Sequence, residues 1–272
     1  MIEPLDLRDV TLCAVTSVNI GQTLMAMERC VRQIKFGSVL LLTDALLAEK
    51  PDWLEIRSIG RLNSSADYSR FMLEELVDHI LTNHVLLVQW DGFVIDAVRW
   101  EAGFTGCDYV GASWPQFMDD HQVGNGGFSL RSRKLLEACR DPRFKGRHPE
   151  DVCICRDNRT FLEKEFGIVF ADKDLADRFS FERFHRPGAT FGFHGVFNMI
   201  ESAGLRYFLT VYDGLDDKRI VFHDYRGIAR DVIRHARELR QREVMRLLAG
   251  LFFGYLGYRL NRAWRAIGRI RA

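Results

Sequence analysis

Four short stretches of the sequence carry residue types that could act on a phosphorylated substrate. In the first, Asp91 follows an apolar run and precedes Gly92. A carboxylate there is a suitable oxygen ligand for Mg²⁺ or Mn²⁺, and such a cation can neutralise a diphosphate. Because Asp-Gly is also a common turn pair, Asp91 taken alone leaves a purely structural role open.

The second stretch, residues 123–132, is rich in glycine around Asn125. Gly126 and Gly127 allow the backbone to approach a ligand closely. The stretch lacks the terminal Lys-Ser/Thr of a P-loop and the spacing of a dinucleotide-binding fingerprint, so neither motif is indicated.

The third and fourth stretches supply further acids and a histidine. Glu150 and Asp151 follow Pro149, where a helix is predicted to begin and to run to about Phe166. Acids in a first turn stabilise the helix dipole, which would explain both residues without any chemistry. The alternative is that one carboxylate points into a cleft as a general base. In the fourth stretch His194 stands before a glycine, and the sequence leaves a structural role and a ligand role open.

Apolar runs predict the elements that position these groups. The stretch 82–93 contains an unbroken apolar run, which predicts a strand buried on both faces. Strands alternating with helices, such as the helix predicted over 19–34, indicate an α/β fold with a mostly parallel sheet. Ligands bind at the carboxyl edge of such sheets. The other predicted strands include 11–18, 38–43, 53–59 and 168–170.

The segment 63–72 precedes the central strand and is rich in polar residues. Its serines or its aspartate could cap the helix that follows. Alternatively, Tyr68 and Arg70 lie near a nucleotide, stacking on its base or contacting its phosphate. The sequence alone does not separate these two interpretations.

The composition excludes some classes of protein. Among 272 residues, 38 Lys and Arg nearly balance 37 Asp and Glu, so no overall basic field indicates a nucleic-acid binder. Six cysteines are scattered without paired CxxC spacing, which is typical of reduced thiols in a cytosolic protein. The acidic N-terminus lacks the features of a secretion signal, and no apolar run is long enough to span a bilayer. These observations predict a cytoplasmic protein.

The C-terminal part differs in character from the rest. The change predicts a catalytic domain at 1–204 and a mainly helical extension at 205–272. Aromatic and aliphatic residues interleaved with arginines near the end indicate an interfacial helix on an anionic membrane surface. Packing of this helix on its own domain or on a second protomer is the alternative. The arginines are Arg259, Arg262, Arg265, Arg269 and Arg271.

Taken in order, the four stretches resemble GT-A fold glycosyltransferases. The chain looks most like a bacterial glycosyltransferase-like family with QWDGF, NGGFSLRS, PEDV and FGFH blocks, which begin here at Gln89, Asn125, Pro149 and Phe191. The likeness covers roughly residues 10 to 200. It implies a Rossmann-like, mostly parallel central sheet flanked by helices, followed by the helical C-terminal extension.

The resemblance implies a metal site. Asp91 matches the last acid of the Asp-x-Asp motif that binds a divalent cation on the donor's diphosphate, and Trp90 precedes it. His194 matches the C-terminal histidine that often completes the metal shell. The implied cofactor is Mn²⁺ or Mg²⁺, although Gln89 stands where the first acid would be, so a requirement for metal is left open.

The resemblance also implies roles in the transfer step. Asp151 matches the acid of the xED motif that serves as general base in inverting members, and Glu150 lies beside it. Asn125, Gly126 and Gly127 match the acceptor-side loop. Val15, Thr16 and Ser17 match the first-strand loop that holds the nucleotide. With the two residues suggested above by the segment 63–72, the predicted donor-binding residues are Val15, Thr16, Ser17, Tyr68, Arg70, Gln89, Trp90 and Asp91.

The sequence therefore leads to the hypothesis of a nucleotide-sugar-dependent, inverting glycosyltransferase, peripheral on the inner face of the membrane. Its acceptor would be a bacterial surface glycan or a lipid-linked sugar, and its partners would not include nucleic acid. Two alternatives are kept: a non-catalytic nucleotide-sugar-binding or scaffold subunit, and another phosphate-handling enzyme such as a nucleotidyltransferase. The hypothesis requires that Asp91, Asp151 and His194 converge around one cleft.

Overall fold

The computed structural model describes residues 3–183 and 188–270, with residues 263–270 described by their backbone alone. The chain divides into two compact units, residues 1–195 and 196–272. This division falls earlier than the predicted boundary after residue 204.

A six-stranded sheet forms the centre of the first unit, in the order β3-β2-β1-β4-β7-β6. The neighbouring strands β3, β2, β1 and β4 are parallel, whereas β7 runs antiparallel to both β4 and β6. A smaller sheet has the order β5-β9-β8. The strands are β1 Leu5–Val15, β2 Ile34–Thr43, β3 Glu55–Ser58, β4 His84–Leu87, β5 Gly92–Val94, β6 Tyr109–Val110, β7 Ser129–Ser132, β8 Ser180–Phe181 and β9 Gly192–His194.

Helices surround the central sheet, so the prediction of an α/β fold with a mostly parallel central sheet flanked by helices is confirmed. The buried parts of the inner strands, residues 10–15 of β1 and 85–87 of β4, are almost entirely apolar because both of their faces are covered. The helices of the first unit are α1 Ile20–Val31, α2 Ser65–Glu74, α3 Arg133–Ala138, α4 Glu150–Val152, α5 Arg159–Phe166 and α6 Lys173–Phe179.

Fully buried phenylalanines pack close to the smaller sheet. The rings of Phe128 and Phe179 stack with their centroids 5.1 Å apart, and Phe191 lies within 6.0 Å of both. Phe93 of β5 meets Phe193 of β9 edge to face at 4.8 Å. This packing supports the strand that carries His194.

Two predicted elements differ from the structure. The helix predicted from Pro149 to Phe166 is interrupted by a π-helical turn over Cys153–Asp157, because the backbone N–H and the side-chain amide of Asn158 both donate to the Cys153 carbonyl. The strand predicted over 168–170 is reduced to a single bridge between Tyr109 and Phe170. The Val169 N–H there donates to the Asp108 carboxylate instead of to a strand.

Every regular element described in the second unit is a helix, which confirms the helical C-terminal extension. Within the extension predicted over 205–272, a 3-10 turn at Ala236–Glu238 separates the helix Tyr225–Arg234 from the helix Gln241–Ile270. None of the described helices is long and apolar enough to cross a membrane. The helices are α7 Met199–Ala203, α8 Leu205–Gly214, α9 Tyr225–Arg234 and α10 Gln241–Ile270.

Candidate functional site

The pairing of the strands brings Asp91 and His194 together. After β4 the chain turns back at once, with Gln89 and Gly92 exchanging two backbone hydrogen bonds of 3.0 Å, so that Asp91 lies in the turn. Antiparallel pairing of β5 with β9 then sets Gly92 opposite His194, and the Gly195 N–H donates to the Asp91 carbonyl at 2.8 Å. Two residues about a hundred positions apart thus become neighbours through main-chain pairing.

The His194 imidazole lies among polar groups. Its Nε2 is 3.4 Å from Gln89 Oε1 and 3.8 Å from Asp91 Oδ1, and its Nδ1 is 3.3 Å from Glu182 Oε1. Gln89 donates through its own amide nitrogen to the Tyr68 hydroxyl at 3.2 Å, which turns its oxygen towards the imidazole. Burial by itself lowers the pKa of His194, but Asp91 and Glu182 outweigh it and raise that pKa above its ordinary value.

The glycine-rich loop lies against this histidine. Asn125 adopts a left-handed φ of 70°, which asparagine tolerates, and its side-chain oxygen accepts from the Gly127 N–H at 3.1 Å. A Cβ at Gly127 would overlap the His194 ring, and one at Gly126 would overlap the Glu150 carboxylate. The absence of side chains at these two positions is therefore what lets the loop close over the acids.

We expect Gly127→Ala to destabilise the first unit by about 1–3 kcal/mol, because the added methyl must displace the His194 ring from a packed position. Thermal unfolding of the full chain measures this loss. Gly21→Ala is the matched control, since a Cβ at Gly21 in α1 meets nothing within 4 Å and alanine favours a helix. Equal stability of the two variants would show that the loop and the histidine are not packed together.

Asp151 lies in α4, with its carboxylate at the loop. Its Oδ2 accepts from the Gly126 N–H at 3.2 Å, and its Oδ1 accepts from the Val152 N–H at 2.8 Å. Burial, and then the nearby Glu150 carboxylate, raise the pKa of Asp151 above its ordinary value. A carboxylate with a raised pKa is a stronger base than an exposed one and is suited to taking a proton from a hydroxyl.

Glu150, beside it, is held by an internal ion pair. Its Oε1 is 3.2 Å from Nη2 of Arg131, and the side chains are 7% and 0% exposed. The Ser69 hydroxyl donates to Glu150 Oε2 and accepts from the Glu150 N–H, both at 3.2 Å. These contacts explain Glu150 as a residue that fixes the start of α4, and hence the position of Asp151.

Eight of the predicted residues line one cleft of about 160 Å³, and Asp91 lies outside that lining but 3.8 Å from the His194 imidazole. The side chain that sequence reasoning missed is Glu182, an acid directly after β8 in a segment that is otherwise aromatic and basic. The cleft is lined by Tyr68, Gln89, Asn125, Gly126, Gly127, Glu150, Asp151, Glu182 and His194.

The other predicted donor residues lie elsewhere. Arg70 is exposed and pairs with Glu75 of the same segment at 3.1 Å, away from the cleft lining. Trp90 is buried, and Val15 belongs to the apolar core beneath Tyr68. The remaining two, Thr16 and Ser17, follow β1; the Thr16 hydroxyl accepts from the Val18 N–H, and the Ser17 hydroxyl accepts from the Leu62 N–H.

The segment 63–72 caps a helix and also brings one side chain to the cleft. The Ser64 side chain caps α2 by accepting from the Asp67 N–H at 3.1 Å. Tyr68, one turn later, reaches the cleft. The cap therefore explains the polar cluster, and the helix that it begins delivers one cleft residue.

The cleft is acidic. Its lining includes the carboxylates of Glu150, Asp151 and Glu182, with Asp91 close to His194. Arg131 pairs with Glu150 and also acts on Asp151, and both His194 and Arg183 act on Glu182. Burial alone would raise the pKa of Glu182, but its hydrogen bond with His194 lowers it, so this acid is ionised. An anionic diphosphate would be repelled from such a cleft unless a cation accompanied it.

The donor atoms present suit a hard divalent cation. An amide oxygen of Gln89, a carboxylate oxygen of Asp91 and Nε2 of His194 face one another at the separations given above. Over residues 3–183 and 188–270, no group of three His, Cys, Asp or Glu side chains is arranged to hold a metal ion. The Gln89 amide oxygen is the further group that could join Asp91 and His194 around a cation such as Mn²⁺ or Mg²⁺.

Comparisons with known proteins give one family and a distant structural likeness. The family described as "Protein of unknown function (DUF5672)" matches residues 54–194, just over half of the chain, and this range contains all four blocks. No curated protein matches the sequence. Among the solved structures that match is the apo form of the glycosyltransferase GlyE from Streptococcus pneumoniae TIGR4, with 13% identity and a TM-score of 0.39. The match covers 82% of this chain and 63% of that one.

Proposed function

The chain belongs to the DUF5672 family of proteins of unknown function, and from that premise we propose that it is a nucleotide-sugar-dependent, inverting glycosyltransferase. The observation that carries the proposal is the convergence of Asp151 with Gln89 and His194 on one cleft, with Asp91 3.8 Å from the imidazole. A base for the acceptor and a site for the donor's diphosphate are the two elements that such a transfer needs.

In the proposed reaction, Asp151 takes the proton of the acceptor hydroxyl as the oxygen attacks the sugar's anomeric carbon. The bond from that carbon to the nucleoside diphosphate breaks, and the diphosphate leaves with the electron pair. The raised pKa of Asp151 makes this carboxylate a suitable base for the proton of the acceptor hydroxyl. Glu150 acts as a positioning residue, because Arg131 and Ser69 engage both of its oxygens.

We propose that Gln89, Asp91 and His194 hold Mn²⁺ or Mg²⁺, which would supply positive charge to the departing diphosphate. The carboxylates of Asp151 and Glu182 at the cleft support a cation, which would offset their repulsion of the diphosphate. A ligand histidine must be neutral, so binding of the cation would replace the proton that Asp91 and Glu182 favour on the imidazole.

The acceptor is proposed to be a bacterial surface glycan or a lipid-linked sugar. Support comes from the composition of α10, whose exposed apolar residues and arginines suit a protein working at a membrane. This part of the proposal is separable from the chemistry, because the cleft belongs to the first unit and α10 to the second.

Donor binding should appear as thermal stabilisation. We expect the matching nucleoside diphosphate, at about 100 times its Kd, to raise the Tm of the full chain by roughly 5–10 °C in the presence of Mn²⁺. The shift should be smaller without the metal, and Asp91→Asn should remove the metal-dependent part. A chain whose Tm is unmoved by every nucleoside diphosphate and its sugars, with and without Mn²⁺, would not be a nucleotide-sugar enzyme.

The released product separates transfer from the two alternatives. A transferase releases a nucleoside diphosphate when donor and acceptor are both present. Pyrophosphate release would identify a nucleotidyltransferase, and donor binding without turnover across a panel of glycan and lipid-linked acceptors would identify a non-catalytic subunit.

A further inference from the structure

Helix α10 presents two different faces over residues 241–262, whose side chains are described. One face is buried within the second unit: Val244, Leu247 and Leu251 are 8%, 2% and 0% exposed. Further along the same face, Tyr255 stacks on Tyr225 of α9 with the ring centroids 4.5 Å apart. This face has its partners inside the unit.

The opposite face is apolar and exposed. Its residues are separated by seven, one, three and four positions, which places them along one side of a helix. Single exposed apolar residues are ordinary, but a continuous row of large ones marks an interaction surface. The row, called here the outer face of α10, consists of Met245, Phe252, Phe253, Leu256 and Leu260, which are 45–68% exposed.

The charges along the helix are almost all positive. Between residues 241 and 262 the only acid is Glu243, whose carboxylate is occupied by the Arg240 N–H at 2.9 Å. Arg259 and Arg262 lie with their guanidinium groups 5.9 and 5.8 Å from the rings of tyrosines one turn earlier. Arg259 borders the outer face and forms no ion pair over the described residues, so its charge is available to an anionic partner. Arg262 lies further round the helix, where it lines a cavity with Asp217 and His223.

We propose that the outer face of α10 docks on an anionic membrane surface. The apolar row would enter the boundary between headgroups and acyl chains, and the arginines beside it would meet lipid phosphates. A symmetric pair of such helices would instead bring two copies of Arg259 to one interface, although the outer face itself carries no carboxylate to balance them. Charge complementarity therefore favours an anionic lipid surface over a second copy of the chain. Arg265 and Arg269 continue the series, but their side chains lie outside the described residues, as does Arg271.

Vesicle flotation of the full chain tests the proposal without donor or acceptor, so its outcome is independent of the transfer reaction. We expect binding to vesicles of phosphatidylcholine and phosphatidylglycerol in equal parts, little binding to phosphatidylcholine alone, and weaker binding as salt is added. The double variant Phe253→Glu with Leu256→Glu should lower the partition coefficient at least about 100-fold, because it puts charge into the apolar row.

The matched control is Leu46→Glu with Leu81→Glu, which charges two exposed leucines of the first unit that are 100% and 81% exposed. This control should bind as the parent does, and unchanged thermal unfolding should show that each variant folds. Arg259→Gln with Arg262→Gln provides a second variant, which should reduce only the dependence on phosphatidylglycerol. Failure of the parent chain to bind anionic vesicles, or undiminished binding by the Phe253 and Leu256 variant, would overturn the proposal. A concentration-dependent dimer that this variant abolishes would assign the face to self-association instead.

Discussion

Asp151→Asn should lower kcat by about 100- to 10,000-fold while leaving the Kd for the donor nearly unchanged. Asparagine keeps the size of the side chain and an oxygen that can accept from the Gly126 N–H. It cannot take a proton from the acceptor hydroxyl. Steady-state turnover and a binding titration with the nucleoside diphosphate, made on the same preparation, measure the two quantities.

Asp174→Asn is the matched control for this variant. Asp174 is an exposed acid in the first turn of α6, so it shares the helical position of Asp151 without lying in the cleft. The control should retain full activity. Parental kcat in Asp151→Asn would remove Asp151 as the base, whereas equal losses of turnover and donor affinity would indicate a binding role.

The acid side of the pH profile should carry the same signature. The base must be deprotonated, and burial and Glu150 raise the pKa of Asp151, so activity should fall with decreasing pH already above the range of an ordinary carboxyl group. The residual activity of Asp151→Asn should lack that limb. A parent profile that stays flat down to ordinary carboxylate pKa values would contradict the assignment.

Breaking the buried ion pair should have the largest effect on stability. Arg131→Met leaves Glu150 as an unpaired internal charge, and Glu150→Gln does the same to Arg131. Each variant should lose about 3–5 kcal/mol of unfolding free energy. The double variant should lose less than the sum of the two, because it leaves neither charge alone. Denaturant titrations of the four proteins complete the cycle.

An exposed pair nearby is the reference for this cycle. Arg133 and Glu137 are joined at 2.9 Å on α3, but their side chains are 37% and 58% exposed. Because the Arg133 guanidinium also donates to the Val77 and Ile80 carbonyls, the reference change is made at its partner, and Glu137→Gln should cost less than about 1 kcal/mol. A cost for Arg131→Met no larger than this would mean that water reaches the Glu150 carboxylate.

The sequence predicted more of the cleft than its individual motifs justified. Asp91 and the Asn125–Gly127 loop each had an ordinary structural explanation. Their order along the chain carried the prediction that they, Asp151 and His194 belong together, and the structure places them at one cleft or on its border. The mostly parallel sheet was predictable because buried strands read as continuous apolar runs.

What could not be predicted depends on contacts between distant segments. Glu182 reaches His194 only because β8 pairs with β9, with Ser180 opposite Gly192, and no local pattern reports that pairing. Arg70, which was predicted near the nucleotide, does not line the cleft, and the reason is again that its surroundings cannot be read from the local sequence. The sequence places Arg70 two residues from Tyr68 on a helix, where side chains diverge, but it does not say which of them faces the sheet.

The antiparallel pairing of β5 with β9 limits where residues can be inserted or removed in this chain. Side chains alternate between the faces of a strand, so a slip of β9 by one residue would replace the imidazole with a phenylalanine ring. Insertions and deletions in surface loops can leave the cleft intact. Insertion or loss of one residue within β5 or β9 would instead place an apolar ring where the imidazole lies. His194 therefore keeps its place in the cleft only while β5 and β9 keep this register.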